Sequence, residues 1–214
     1  MTITIPGKEF WYDWGGLNVW LFRHINGVHG SLYDTVMVIL TRMADYHNLP
    51  FWFAGLFCLA LLSLIIRSAR KQGGTKSRAA IWFGVFAMLV VGFGLDAVVV
   101  KTAKSYFAYP RPYIALENVH VPDYQAGKVD DHHSFPSGHA AVATLLAVSL
   151  WPVIPDGFGW VAILFVAGAA WSRVALGMHF PADVLGSIVI MTPLLLLLRM
   201  ILYSLLLNVF KLRC

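Results

Sequence analysis

Three short stretches of this chain concentrate side chains whose types and spacing suit chemistry on an anion. The first, KSYFAYPRP, places Lys104 and Arg111 as two cations at the end of an apolar run. The second, FPSGHAA, sits where a polar stretch meets the next apolar run. There Ser137 is a natural N-cap, Gly138 lets a ligand approach the backbone closely, and His139 falls in the first helical turn. A helix N-terminus offers free N–H groups and the positive end of the dipole, so it favours anions. The third, WSRVALGMHFPAD, carries Arg173, His179 and Asp183. Pro181 suits a first helical position. If the turn is already helical at His179, a carboxylate four residues on reaches back to the imidazole. Such a pair fixes the tautomer and raises the basicity of the ring.

Taken singly, each stretch has an ordinary account. Lys104 and Arg111 read as cations snorkelling from a helix end, with Lys101 a competing candidate one turn earlier. The second stretch reads as a capped helix with a surface histidine. The third reads as an interfacial histidine beside an aspartate that stabilises a helix N-terminus.

The elements that must position these residues are apolar. Of 214 residues 58% are hydrophobic and only 13% charged, too little charge for the surface of a soluble domain of this size. The bilayer is the expected solvent. A net charge of +5 does not point to nucleic acid, because the basic residues cluster beside apolar runs. Cys58 and Cys214 form neither a disulfide framework nor a metal-ligand pattern, and no carboxylate cluster suits a divalent cation.

Five segments predict spanning helices: 51–66, 79–100, 139–155, 160–176 and 184–207. A sixth, 31–46, contains Asp34, Arg42 and Asp45 and reads as a weaker span or an interfacial helix. The Trp- and Tyr-rich stretch from Phe10 to Phe22 reads as an N-terminal interfacial helix. The fold class is therefore an all-α integral membrane protein, a single domain over residues 1–214. About six transmembrane helices and a long external loop, 104–137, are expected. The run RSARKQGGTKSR holds five basic residues and no acidic one, which sets it on the cytoplasmic side. All three motifs then share the external face. Asp96 lies inside a span and needs a partner, either Lys101 or a polar group on a neighbouring helix.

On one face, three cations, a helix N-terminus and two histidines make a site for phosphate, which arginine binds bidentately. Lys104-x6-Arg111-Pro112, then Pro136-Ser137-Gly138-His139, then Ser172-Arg173-x5-His179-x3-Asp183 resembles the tripartite signature of the type 2 phosphatidic acid phosphatase superfamily. The match spans residues 104 to 183. It implies that His179 is a nucleophile forming a phosphohistidine, that Asp183 orients it, and that His139 is the general acid. It implies that Lys104, Arg111, Ser137, Gly138 and Arg173 hold the phosphoryl group, with no metal or other cofactor.

The substrate so implied is a lipid phosphate whose tail stays among membrane lipids, with no nucleic-acid partner. Undecaprenyl diphosphate is the first expectation, at the periplasmic or extracellular face of a bacterial inner membrane. Phosphatidylglycerophosphate, phosphatidic acid and a lipid A phosphate are alternatives. The distantly related vanadium haloperoxidases are soluble and fit less well. A non-catalytic lipid carrier would not need His179, Asp183 and His139 together.

Overall fold

In hydrocarbon a backbone N–H finds no water, so long apolar runs close their hydrogen bonds within a helix. The structure, a computed structural model, describes residues 10–70, 75–122 and 133–209, with side chains for all of these except 66–80 and 206–209. The basic run 67–78 and the tail cations Lys211 and Arg213 thus lie outside the described side chains. The described residues form α1 (Phe10–Asp13), α2 (Leu17–Asn26), α3 (Ser31–Met43), α4 (Leu49–Arg70), α5 (Thr75–Phe107), α6 (Pro112–Ala115), α7 (Gly138–Leu150), α8 (Gly159–Ala175) and α9 (Pro181–Val209). No strand occurs among them.

Against the six spans expected, three stretches among the described residues are long and apolar enough to cross a membrane: Tyr46–Ile65, Ile81–Ala115 and Pro181–Leu205. Two shorter apolar helices, Gly138–Val153 and Gly159–Ala175, run beside them. Segment 31–46 resolves differently. Its helix α3 has 13 residues, or about 20 Å, against a hydrocarbon core of about 30 Å. Asp34, near its start, faces His120 Nε2 at 2.9 Å, and Thr41, near its end, accepts a hydrogen bond from Arg173. Both ends therefore meet the face that carries the motifs, and α3 lies along that face.

Helix α7 is the centre of the bundle, packed against α5, α8 and α9. Ala140, Ala141, Val142, Ala143, Leu145 and Leu146 are all buried, and the alanines let neighbouring helices approach closely. A second cluster closes the site face, built on Tyr12, Phe22, Tyr109, Phe135 and Phe180. The Tyr12 and Tyr109 rings meet at a tilt, with centroids 4.5 Å apart. Tyr109 is buried in this cluster, whereas Tyr106, three residues earlier, is exposed. Asp96 is fully buried, and its partner is the Tyr46 hydroxyl, which donates to Oδ2 at 2.8 Å; Lys101 is exposed.

The turn from α8 to α9 is clamped from outside. Asn26 donates to the carbonyls of both His120 and Ala175, tying the segment after α6 to the end of α8. Gly177 adopts φ +73°, and a Cβ there would stand 2.5 Å from the His120 carbonyl oxygen. Gly177→Ala is expected to cost about 1–3 kcal/mol or more, from left-handed strain plus a backbone clash. Thermal unfolding in detergent measures it, and an unchanged midpoint would contradict the clamp.

Candidate active site

Each motif ends a helix or starts one, so the functional side chains project from element termini. Lys104, in the last turn of α5, donates to the His133 carbonyl at 2.8 Å. Arg111 is buried just before α6, where Pro112 fixes the first helical position. Its guanidinium donates to the Met178 carbonyl at 3.0 Å and lies 3.4 Å from His179 Nε2. Arg173, buried in the last turn of α8, donates to Thr41 Oγ1 at 3.0 Å. Its carbonyl accepts the N–H groups of Met178 and His179, which hangs the nucleophile candidate directly beneath the cation.

Ser137 occupies the N-cap of α7 in an extended conformation, but its hydroxyl makes no capping bond. Its Oγ is buried and has no hydrogen-bond partner in the structure. A buried hydroxyl without a partner costs free energy, and an anion seated at the helix end would satisfy it. Gly138 has a reason beyond backbone approach. A Cβ there would sit 2.8 Å from the Tyr46 ring, so the glycine makes room for that tyrosine.

The third motif closes the site. His179 is buried, with Nδ1 3.4 Å from Asp183 Oδ2 and Nε2 toward Arg111. The aspartate approaches the ring without a hydrogen bond, because other donors occupy its oxygens. Tyr12 donates to Oδ1 at 2.7 Å. Ser134 Oγ donates to Oδ2 at 2.5 Å and the Phe180 N–H at 2.8 Å. With Nδ1–H toward the carboxylate, the ring's lone pair sits on Nε2 among the cations. Burial pushes the His179 imidazole well below its ordinary value, reinforced by Arg111, Arg173, Lys104 and His139. Burial, then the Asp183 charge, pushes the Tyr12 phenol up, which keeps it a donor.

His139 is less enclosed, at 18% exposure, and its Nε2 faces Asp45 Oδ2 at 3.7 Å. The structure thus brings together all eight residues singled out in the motifs. It adds Tyr12, Ser134, Asp45, Tyr46 and Thr41, which motif spacing did not flag. Ser134 stands three residues before Ser137 and was within reach of a closer reading. Tyr12, 171 residues from its carboxylate, had no local signal. Among the described residues no group of three or more His, Cys, Asp or Glu is placed to hold a metal ion.

An all-helical membrane bundle that gathers cations, a helix N-terminus and two histidines at one end defines a class: membrane enzymes built around a phosphate site. Within that class the chain belongs to the PAP2 superfamily, whose model matches residues 85–206. It is a PAP2-type membrane lipid phosphatase. It is 30% identical over 180 residues to undecaprenyl-diphosphatase BcrC of Bacillus subtilis, covering 81% of this chain and 78% of that protein. It is 29% identical over 172 residues to an undecaprenyl-diphosphatase of Sulfolobus acidocaldarius, covering 80% of this chain and 71% of that one. The crystal structure of Aquifex aeolicus LpxE superposes with a TM-score of 0.63 at 25% identity, over 85% of this chain and 93% of that one.

The donors around Asp183 carry a testable consequence. A hydrogen bond to a charged group is worth about 1.5–3 kcal/mol, so Tyr12→Phe is expected to lower kcat roughly 10- to 100-fold. Ser134→Ala should act similarly, and the double variant should fall short of the product of the two. Steady-state phosphate release on folded protein checks both. Wild-type rates in Tyr12→Phe would remove Tyr12 from the site.

Proposed function

We propose that this chain removes the terminal phosphoryl group of a polyprenyl diphosphate, undecaprenyl diphosphate foremost, through a phosphohistidine. The observation that carries the reading is His179, buried with Nε2 directed at Arg111 and Nδ1 at Asp183. In this reading Lys104, Arg111, Arg173, the Ser137 hydroxyl and the Gly138 N–H seat the phosphoryl oxygens. Nε2 of His179 attacks phosphorus, and the bond to the bridging oxygen breaks with its electron pair. His139 gives that oxygen a proton. Water then attacks the phosphohistidine with His139 as base, releasing inorganic phosphate and restoring His179. Positive charge at the phosphoryl group comes from the three side-chain cations, so no metal is assigned a role. The whole chain acts as one domain.

The membrane side and the tail have their own support. The C-terminal end of α4 and the N-terminal end of α5, which flank the basic stretch in sequence, lie at the ends of these helices opposite Tyr46 and Lys104. The positive-inside rule then places the site outward. An apolar cavity of about 280 Å³ opens between α7, α8 and α9, lined by Thr144, Val148, Ile163, Ile188 and Thr192. Thr144 lies five residues beyond His139, about 7.5 Å along the helix, a short reach for a lipid chain. The two undecaprenyl-diphosphatase relatives favour a polyprenyl tail.

Purified protein is expected to release phosphate from undecaprenyl diphosphate with EDTA present, and faster than from phosphatidic acid. His179→Ala should lose about 10⁴-fold in kcat. Labelled terminal phosphate should trap an acid-labile adduct in wild type and none in the variant. The depressed His179 imidazole also sets the acid limb. Attack needs the neutral ring, which persists below the ordinary histidine value of about 6.5. The rate is therefore expected to hold as pH falls through 6.5 and to drop only at lower pH. The unfolded chain takes up that proton first, so stability declines as pH falls below about 6.5. An acid limb at or above that value would contradict the assignment.

A further inference from the structure

The residues that brace the second motif come from a dipeptide that the reaction described above does not use. Asp45 and Tyr46 follow α3, and each touches one of the consecutive residues Gly138 and His139. Asp45 Oδ1 accepts the His47 N–H at 2.9 Å and faces His47 Nδ1 at 2.9 Å. That leaves Oδ2 toward His139 Nε2, at 3.7 Å. Tyr46 lies with its ring where a Gly138 side chain would be, and its hydroxyl donates to Asp96 inside the bundle. Asp96 is fully buried, so the dipeptide is anchored from within a spanning helix.

We propose that Asp45 is a positioning residue for His139, holding its ring and its proton ready for the leaving oxygen. This rests on the phosphatase reading, in which His139 must be protonated when the substrate arrives. The surroundings oppose that state. Arg173 from α8 and Arg111 from the start of α6 face His139, as does His179 from the α8–α9 turn. Burial first, and then these two fixed cations, disfavour an imidazolium there. Asp183, the other carboxylate nearby, is turned to Tyr12, Ser134 and the Phe180 N–H. Asp45 supplies negative charge that offsets part of this cost.

With Nε2 turned toward Asp45 at 3.7 Å, Nδ1 is the nitrogen that hands its proton to the bridging oxygen as the phosphorus–oxygen bond breaks. Contact with His139, and then the bonds from His47, hold the Asp45 carboxyl well below the usual carboxylate range despite partial burial. It stays ionised across the working pH. The exposed His47 also faces Asp45, but from the solvent side.

The test uses the full chain in detergent with two substrates sharing one tail, farnesyl diphosphate and farnesyl monophosphate. Loss of the His139 proton sets the alkaline limb of kcat/KM. Asp45→Asn is expected to move that limb toward lower pH by about one unit. It should also reduce turnover more on the monophosphate, which expels an alkoxide, than on the diphosphate, which expels a stabilised phosphate. Asp45→Glu should restore part of both. Tyr46→Phe, which loosens the anchor and keeps the ring, should shift the limb in the same direction by less.

An unmoved alkaline limb in Asp45→Asn, or an equal loss on both substrates without a shift, overturns the proposal. His139→Ala, run in parallel, separates the two readings. If it retains the alkaline limb, the general-acid assignment fails. If it abolishes the limb while Asp45→Asn leaves it in place, only the role of Asp45 fails.

Discussion

A carboxylate fully removed from solvent is the constraint on which the rest of this structure turns. Asp183 is 0% exposed, and an ionised group so placed must be met by donors or be neutralised. Three meet it, and each comes from a different part of the chain. Tyr12 reaches in from the N-terminal helices, Ser134 from the segment before α7, and Phe180 from the turn before α9. The aromatic cluster around Tyr12 keeps water away from those bonds, and the Asn18 side chain accepts the neighbouring Ala182 N–H. The interface that closes the site and the interface that holds the N-terminal segment are therefore the same.

The opposite sign dominates the other half of the site. Lys104, Arg111 and Arg173 arrive at the ends of three elements, and each guanidinium or ammonium is partly committed to a protein oxygen. Those bonds fix the cations in place before any substrate arrives. In the proposed reaction, preorganised charge of this kind would need no rearrangement when a phosphoryl group enters, and so would stabilise developing charge effectively. His179 sits on the boundary between the two halves. Asp183 directs one nitrogen, and the cations and burial keep the other deprotonated.

The parts of this arrangement that could be read from sequence are those governed by local spacing. His179 and Asp183 are four apart, and Ser137 to His139 are consecutive, so a helix start places each set without further information. The apolar runs of α4, α5 and α9 announced themselves by length. Contacts across the fold were not legible. Nothing near Tyr12 distinguishes it from Trp11 or Trp14, yet only Tyr12 carries a hydroxyl to the buried carboxylate. Helix α3 shows the limit in another way. Its composition suited either a weak span or an interfacial helix. The deciding facts were its length and its two polar ends, which bind His120 and Arg173 on a single face. Asp96 was flagged as needing a partner, but a tyrosine just before the next span back carries no charge to advertise it.

The bond between Tyr12 and Asp183 also imposes an order of events during synthesis. One partner emerges from the ribosome with α1, and the other, 171 residues later, belongs to the start of α9. Chains elongate at about 5–20 residues per second, so Tyr12 waits on the order of ten seconds or more for its carboxylate. For most of that interval His179 has not yet been made either. The Asp183 side of the site is therefore incomplete until the start of α9 has been made. The contact that fastens Tyr12 thus forms only after α2 through α8 have been made.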